Sequence, residues 1–366
     1  MNIALVIYGS IETISGGYLY DRQLVAYLRS CGDRVQITSI PPGSYFSHLL
    51  DNLSFRLPSE ADIIIEDELI HPSVLAANVR RDRSIPVISL VHNLHSSERR
   101  AGWQNTLLRQ TERRYLESVD GFIFNSGTTR DSVLRLIGDA RLHVVAPPAG
   151  DRLGGLTPDV VRKRAIQPGP LRLLFLASVT PLKGLHVLLN ALSGLPGGCC
   201  TLDVVGSLAA DAAYARNMQV AATTLAAPTR FHGVLDGAPL VELLRSTDAV
   251  VIPSYWEGFG IAFLEGMGFG APAIGTTAGA IPQMIRDGMN GYVAPPGDAA
   301  ALREIIRNLA SDRQLLARLS VGALAYYQSC PTWNQSAAIV RGFLVEVLSR
   351  GVSDRWQHHS QEQSRQ

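Results

Sequence analysis

The sequence predicts an α/β protein built from two parallel-sheet domains, and three observations lead to this prediction. Short apolar runs alternate with helical stretches along the whole chain, which is typical of a parallel sheet covered by helices. The pattern restarts after a proline- and glycine-rich segment at residues 146–170. The length of 366 residues exceeds the usual size of one domain, and 46% hydrophobic residues suffice for two cores.

The first half contains the opening of such a sheet. Four to eight apolar residues between turn residues indicate a buried strand, and a longer run with a period near 3.6 indicates a helix. By these criteria the first half comprises strand 2–8, helix 18–28, strands 35–40, 62–65 and 87–91, helix 104–118, strand 121–125 and helix 127–137. The loop after the first strand lacks the G-x-G-x-x-G spacing, so we reject a nicotinamide-binding site.

Polar residues follow two strands of the first half. Glu66, Asp67 and Glu68 come directly after the third strand, and we interpret them as a polar loop rim, because no Asp-x-Asp pair is formed. His92 follows the fourth strand. A lone histidine is commonly a structural residue, but ligands bind at the carboxyl ends of the strands in an open parallel sheet. We therefore expect His92 at the active site.

The second half repeats the alternation of strands and helices. Its predicted elements are strand 171–176, helix 185–195, strands 202–205, 230–232, 248–253 and 271–275, and helices 281–286, 298–310 and 313–327. Several of these strands end in glycine, which favours ligand-binding turns. A final helix at about 331–350 follows, and the polar tail at 351–366 is expected to be disordered.

The most informative stretch is residues 254–266, which follows a buried strand and enters a helix near Gly260. A strand end, a glycine-bearing loop and a helix N-terminus bring several backbone N–H groups together, and such groups bind phosphate. Glu257 and Glu265 flank this point, roughly 12 Å apart if the segment is helical throughout. Carboxylates suit hydroxyl groups and amides suit phosphate, so the order carboxylate, amides, carboxylate suits a nucleotide-sugar.

Glu257 and Glu265 resemble the Glu-x7-Glu motif of retaining glycosyltransferases with the GT-B fold, most closely family 4 of that class. Pro253-Ser254 and Glu257-Gly258-Phe259-Gly260 match the usual form of the motif. The resemblance extends from Gly17 to Trp333 and implies two Rossmann-like domains that face each other across a cleft. It assigns the acceptor to residues 1–165 and the nucleotide-sugar to residues 170–330. It also implies that helix 331–350 crosses back to pack on the first domain.

The resemblance assigns roles to individual residues. Lys183, followed by Gly184, matches the phosphate-binding loop of the family and would neutralise the leaving diphosphate. Ser178 stands where the family has an arginine, which removes one charge-assisted clamp on the phosphate. Glu257 would orient the hydroxyls of the donor sugar and Glu265 those of the ribose, while His92 would lie beside sugar and acceptor. The other donor-binding residues are expected to be Gly17, Ser178, Gly206, Val234, Gly258, Phe259 and Gly260.

Charge and composition exclude several other classes of protein. A net charge of +1 gives no attraction to nucleic acid, and no run approaches the ~20 apolar residues of a membrane span. The four cysteines lack metal-binding spacing and the N-terminus lacks signal-peptide features, so a cytoplasmic protein with free thiols is expected. The arginine-rich region 99–114 has two open interpretations. It is either a solvated helix with local ion pairs or a basic face that binds an anionic acceptor or a membrane carrying a lipid-linked acceptor.

The predicted activity is retaining transfer of a sugar from a nucleotide-sugar donor to an acceptor hydroxyl, in glycan, glycolipid or exopolysaccharide assembly, without a metal or cofactor. Two alternatives remain open. One is a nucleotide-sugar epimerase of the same fold, which would need no acceptor. The other is a catalytically weakened homologue that binds a nucleotide-sugar, which Ser178 favours. The donor base, the sugar, the acceptor and the oligomeric state do not follow from the sequence.

Overall fold

The computed structural model describes residues 1–81, 83–94, 102–138 and 141–363, and these form two compact units. The first unit comprises Met1–Pro147 and the chain from Trp333 onward, and the second comprises Pro148–Thr332. Each unit contains one six-stranded sheet whose paired strands are parallel. The predicted α/β class with two parallel sheets is therefore confirmed.

The first unit begins with eleven alternating elements. They are β1 (Asn2–Tyr8), α1 (Gly16–Ser30), β2 (Arg34–Ile40), α2 (Tyr45–Asp51), β3 (Ile63–Asp67), α3 (His71–Arg80), β4 (Val87–Val91), α4 (Gly102–Leu116), β5 (Gly121–Phe124), α5 (Gly127–Ile137) and β6 (Leu142–Val145). The strand order is β2-β1-β3-β4-β5-β6. Inner strands such as β3 and β4 are buried along their whole length, as expected for a parallel sheet with both faces covered.

The second unit repeats this architecture. Its elements are α6 (Pro158–Ala165), β7 (Leu171–Leu176), α7 (Leu185–Ser193), β8 (Cys200–Val205), α8 (Ala212–Ala222), β9 (Thr229–Gly233), α9 (Gly237–Ser246), β10 (Ala249–Val251), α10 (Ile261–Gly268), β11 (Ala273–Thr276), α11 (Ile281–Met284), β12 (Gly291–Ala294), α12 (Ala299–Ser311) and α13 (Arg313–Ser329). The strand order is β12-β11-β10-β7-β8-β9. Leucine, isoleucine, valine and phenylalanine from strands and helices fill one continuous core.

The boundary between the units lies earlier than the sequence indicated. Residues 148–165, which we assigned to the first domain, belong to the second unit. The reason is α6, whose Val161 and Ala165 are buried and which packs against α13. The buried Arg164 guanidinium also donates to the carbonyl oxygens of Phe269 and Gly270 over 2.8 and 2.9 Å. The proline-rich segment therefore holds a packed helix.

The last helix, α14 (Trp333–Gln363), returns the chain to the first unit. It contacts α1 and β6, and Arg341 Nε donates to Asp33 Oδ2 over 2.7 Å. The sequence prediction ended this helix near Arg350 and left residues 351–366 disordered, whereas the helix extends to Gln363. Residues 352–363 contain neither proline nor glycine, so that segment has no helix-breaking residue.

The interpretation of Glu66, Asp67 and Glu68 as a polar loop rim is wrong. Glu66 and Asp67 are the last residues of β3, and all three side chains are buried. Glu66 accepts a hydrogen bond from the amide of Asn78 on α3 over 2.9 Å, so at least one of these acids is part of the packed interior.

Among the described residues, no helix is long and apolar enough to cross a lipid bilayer.

Candidate active site

The predicted site residues of the second unit gather where its strand order reverses. β7 lies between β10 and β8, so the connections after β7 and β10 leave the sheet in opposite directions. The crevice between two such loops is the usual ligand site of an open parallel sheet. The loop after β7 carries Lys183, and the loop after β10 carries Glu257.

Lys183 and Glu257 form an ion pair in this crevice. The ammonium nitrogen of Lys183 donates to Glu257 Oε1 over 2.6 Å, and Ser254 Oγ donates to the same oxygen over 2.8 Å. Both charged side chains are only partly exposed. A cation and an acceptor-only carboxylate are thus fixed side by side, 74 residues apart in sequence. The sequence predicted both residues for the site but not their pairing.

Close backbone contacts hold the two loops together. Tyr255 N donates to the carbonyl oxygen of Leu182 over 2.8 Å. Gly184 has a φ of +73°, and a Cβ atom at this position would lie 2.1 Å from the carbonyl oxygen of Pro253. Only glycine fits that backbone conformation at that distance. The glycine after Lys183 is therefore required for the approach of the two loops.

The N-terminus of α10 directly follows the loop that carries Glu257. Gly260, with a φ of +97°, occupies the N-cap position, and no side chain caps the first turn. The first N–H groups of a helix lack intrahelical partners and carry the positive end of the helix dipole. Gly258 and Phe259, which lead into the helix, are half-buried. The tip of α10 therefore offers backbone donors for an anion, as the sequence predicted for residues 258–260.

Glu265, on the second turn of α10, is buried against an arginine that the sequence analysis did not single out. Arg152 Nε donates to Glu265 Oε1 over 2.5 Å, and Arg152 also pairs with Asp236. Burial raises the pKa of Glu265, while the adjacent guanidinium acts in the opposite direction without cancelling the effect. Arg152 lies in the segment interpreted as a linker, and no local pattern links it to Glu265, 113 residues away.

The other predicted donor-binding residues follow β7, β8 and β9. Ser178 lies in the loop after β7, and Gly206 follows β8 with a φ of +149°. A Cβ atom on Gly206 would lie 1.9 Å from the carbonyl oxygen of Ala177, so these two loops also touch through backbone atoms. Val234, directly after β9, is exposed. All three residues lie at the carboxyl edge of the sheet, and their contact with a donor stays a prediction.

A second group of polar residues lies in the first unit around His92. His92 follows β4, and its Nε2 lies 3.1 Å from Oδ1 of Asp21, a fully buried residue of α1. Gly17, also on α1, leaves room for the ring, since a Cβ there would lie 3.2 Å from His92 Cδ2. Asn125 Nδ2 donates to the backbone oxygen of His92 over 2.7 Å. The imidazole is thus held by Asp21 of α1, and the His92 backbone is held by Asn125, which directly follows β5.

The charges around His92 determine its protonation. Burial alone would lower the pKa of His92, but the hydrogen bond to Asp21 and the charges of Asp21, Asp67 and Glu68 outweigh it, so its pKa is raised. Burial and the charge of Asp21 raise the pKa of Asp67 well above its usual range. Proximity to these buried acids therefore favours the charged form of His92, and the charge of Asp21 favours the neutral form of Asp67.

Two clusters of the first unit have the composition of a metal site. Asp21, Asp67 and His92 place ligand atoms within 4.8 Å of one another. Glu68, His71 and Glu112 do the same and are all buried. Carboxylate and imidazole groups at this spacing fit a divalent cation by chemistry. The sequence prediction that the protein needs no metal is untested and stays a prediction.

Part of the predicted basic region lies outside the described residues, including Arg99 and Arg100. Of the arginines on α4, Arg109, Arg113 and Arg114 are exposed. Arg113 Nε pairs with Glu117 over 2.8 Å, one turn further along the helix. This contact agrees with the interpretation of a solvated helix with local ion pairs.

Comparison with known proteins identifies the second unit by sequence. Residues 158–324 match the family model for glycosyl transferases group 1. Glycogen synthase of Mycobacterium tuberculosis is 28% identical over 297 residues, covering 77% of this chain and 67% of the synthase. D-inositol 3-phosphate glycosyltransferase of Xylanimonas cellulosilytica is 27% identical over 254 residues, covering 65% of this chain and 60% of that protein. The chain thus spans about two thirds or less of these relatives.

Solved structures match over nearly the whole chain. Sucrose-phosphate synthase from Thermosynechococcus elongatus superposes with a TM-score of 0.80 at 19% identity, covering 95% of this chain and 99% of the synthase chain. Anabaena Alr3699/HepE in complex with UDP-glucose gives 0.73 at 19% identity, with 95% and 100% covered. These likenesses establish the fold. Residues 158–324 therefore match the glycosyl transferases group 1 domain, and the chain as a whole has the GT-B fold of these solved structures.

Proposed function

We propose that the protein transfers a sugar from a nucleotide-sugar to an acceptor hydroxyl with retention of the anomeric configuration. The observation that carries the proposal is the Lys183–Glu257 pair, which lies at the strand-order reversal of a glycosyl transferases group 1 domain. A nucleotide-sugar donor is also supported by the structural neighbour Alr3699/HepE, which was solved with UDP-glucose.

The donor diphosphate would bind between Lys183 and the tip of α10. The charge of Lys183 is balanced by Glu257 in the structure. A diphosphate would compete for the ammonium group and release the carboxylate to accept hydrogen bonds from the sugar hydroxyls. Lys183 and the backbone N–H groups after Gly260 would then stabilise the negative charge that grows on the departing diphosphate. With serine at position 178, these groups provide the stabilisation that an arginine would otherwise share.

The ribose of the donor would bind at Glu265. Its buried carboxylate has a raised pKa, which favours the protonated form, and Arg152 opposes that shift. Arg152 therefore favours the ionised form of Glu265 and orients it, so that the carboxylate can accept hydrogen bonds from two ribose hydroxyls. In this role Arg152 is a positioning residue.

The reaction would proceed on one face of the sugar. The bond between the anomeric carbon and the β-phosphate oxygen breaks, and its electron pair leaves with the phosphate. The acceptor oxygen forms its bond to the anomeric carbon on the same face, and its proton passes to the departing phosphate oxygen. No protein base is needed for this step, so no base role is assigned to His92, whose pKa is raised by the acidic groups around it. His92 would instead donate a hydrogen bond to the sugar or the acceptor.

The experiment that tests the proposal is a panel of UDP-, GDP- and ADP-sugars. A donor at ~100 times its dissociation constant should raise the free energy of unfolding by about 2.7 kcal/mol. The best donor is then incubated with candidate acceptors, and NMR of the product reports the anomeric configuration. An inverted product contradicts retention, and an epimerised donor without acceptor identifies an epimerase. Binding of a donor without transfer or epimerisation indicates a weakened homologue, and binding of none of the nucleotides contradicts the proposal.

Two further parts of the proposal concern the acceptor and the location of the protein in the cell. We infer an acceptor in glycan, glycolipid or exopolysaccharide assembly that is bound by the first unit, where His92 and Gly17 lie at the carboxyl edge of the sheet. A cytoplasmic location and a lipid-linked acceptor stay predictions. The transfer rate is compared between a lipid-linked acceptor and its water-soluble form. Equal rates would contradict the prediction that the acceptor is lipid-linked.

A further inference from the structure

Helix α2 and the turn after it present an apolar stripe to solvent. Phe46, Leu49, Leu50 and Leu53 follow one another at intervals of three, one and three residues, which places them on one helical face. Phe46, Leu50 and Leu53 are 66%, 65% and 77% exposed. Val79, on the neighbouring helix α3, is 69% exposed. A globular protein normally turns such a stripe inward, so its exposure indicates a binding surface.

Three polar residues of the same segment contact neighbouring parts of the first unit and hold the segment in place. His48 is buried, and its ring stacks on Tyr8 with centroids 4.0 Å apart. Asp51 Oδ2 accepts hydrogen bonds from Ser73 Oγ over 2.7 Å and lies 2.9 Å from His48 Nδ1. Asn52 Oδ1 accepts from Ala76 N on α3 over 2.8 Å. These contacts fix the orientation of the segment, so the outward position of the apolar stripe is set by its polar face.

Positive charge accompanies this apolar surface. Arg56 and Arg80 are both exposed, and they line a cavity of about 360 Å³ between the segment and α3. Much of the remaining lining is apolar, with Phe55, Leu57 and Ile85 among it. The acid on α2, Asp51, is turned toward Ser73. Glu60, beyond the cavity, is the next acidic residue along the chain.

We propose that this surface docks on a membrane of anionic phospholipid. An apolar helical face with arginines at its border matches the interface of an acyl layer and a negatively charged headgroup layer. A second copy of the chain fits less well, because a symmetric contact through this face would bring Arg56 and Arg80 close to their own counterparts. The surface differs from the arginine-rich region 99–114.

The test is flotation of the full chain with vesicles. Vesicles of phosphatidylcholine alone are compared with vesicles in which about a third of the lipid is phosphatidylglycerol. We expect binding to the anionic vesicles that weakens as salt is added. The double substitution Leu50→Ser with Leu53→Ser should weaken binding about tenfold or more, since both side chains lose apolar contact area. Arg56→Gln with Arg80→Gln should remove the preference for anionic lipid.

The chain offers matched control positions. Val220 on α8 is 68% exposed, so Val220→Ser is compared directly with Val79→Ser, which alone should weaken binding. The exposed Arg216 of the same helix controls for loss of charge. Thermal unfolding checks that each variant is folded.

Three results would overturn the proposal. They are failure of the wild type to float with anionic vesicles, unchanged flotation of the leucine double variant, and a wild-type dimer in light scattering that the leucine substitutions dissociate. The last result would identify a second copy as the occupant. None of these measurements involves sugar transfer, so they stand or fall separately from the proposed function.

Discussion

Replacing Lys183 by methionine removes the charge of the proposed phosphate ligand while keeping a side chain of similar length. In the structure Lys183 donates a hydrogen bond to Glu257 Oε1 over 2.6 Å, and Ser254 Oγ donates a second one to the same oxygen. After the substitution Glu257 retains the serine as a partner. The folded state should therefore tolerate the change, whereas the proposed phosphate site would lose the positive charge of Lys183.

The two expected effects differ strongly in size. Loss of one preorganised group that stabilises developing charge costs about 2.7–4 kcal/mol, or about 10²–10³-fold in kcat. Loss of a partly exposed ion pair costs at most about 1 kcal/mol of folding stability. If Lys183 acts in catalysis, activity should thus fall by two to three orders of magnitude, while the free energy of unfolding changes little.

The assay is steady-state transfer from the best donor of the panel, combined with urea unfolding. The sequence contains two lysines, and the other, Lys163, is exposed on α6. Lys163→Met is therefore a matched control and should transfer sugar at the wild-type rate. Wild-type kcat in Lys183→Met, or a loss of activity matched by global unfolding, would refute the assigned role.

Three further predictions concern the supporting contacts. Arg152→Gln should weaken donor binding about tenfold at pH 7, because Glu265 then protonates more readily. Calorimetry should show that this loss of affinity shrinks as pH rises. A loss of affinity that does not depend on pH would argue against this role of Arg152. Gly184→Ala should lower the free energy of unfolding by more than the about 1–3 kcal/mol that a left-handed backbone costs, because its Cβ would meet the Pro253 carbonyl. Gly198 has a φ of +78° and open space around it, so Gly198→Ala should show the backbone cost alone. Equal losses of stability in urea unfolding would contradict the close contact between Gly184 and Pro253. Asp67 has a folded-state pKa above its unfolded one, so the stability it contributes is present at low pH and is lost as pH rises through the folded value. Asp67→Asn should therefore become progressively more stable relative to wild type between pH 5 and 8, and parallel stability curves would contradict this assignment.

The sheet of the second unit could be predicted closely because its signals are local. The strand predicted at 171–176 coincides with β7, and Lys183 and Gly184 follow it as a β–α turn requires. The helix tip at Gly260 was likewise visible, since glycines separate an apolar strand from an apolar helix. Such features depend on residues close together in the chain.

The features that were missed depend on distant contacts. Arg152 meets Glu265 across 113 residues, and nothing near Arg152 in sequence marks it as a partner. Buried Glu66 accepts a hydrogen bond from Asn78 of α3. The sequence pattern did not identify α3 as a helix that faces this strand. Helix α2 was not predicted at all, because its apolar residues are exposed and its buried residue is the polar His48. Hydrophobic periodicity assumes the opposite arrangement.

The most direct measurement of the central claim is calorimetric titration of a nucleoside diphosphate and of its unphosphorylated nucleoside into wild type and Lys183→Met. The diphosphate is chosen from UDP, GDP and ADP by the strength of its binding. The account predicts one site for the diphosphate in wild type, about tenfold or more weaker binding in the variant, and no difference for the nucleoside. Equal affinity of the two proteins for the diphosphate would contradict the claim that Lys183 binds the donor pyrophosphate.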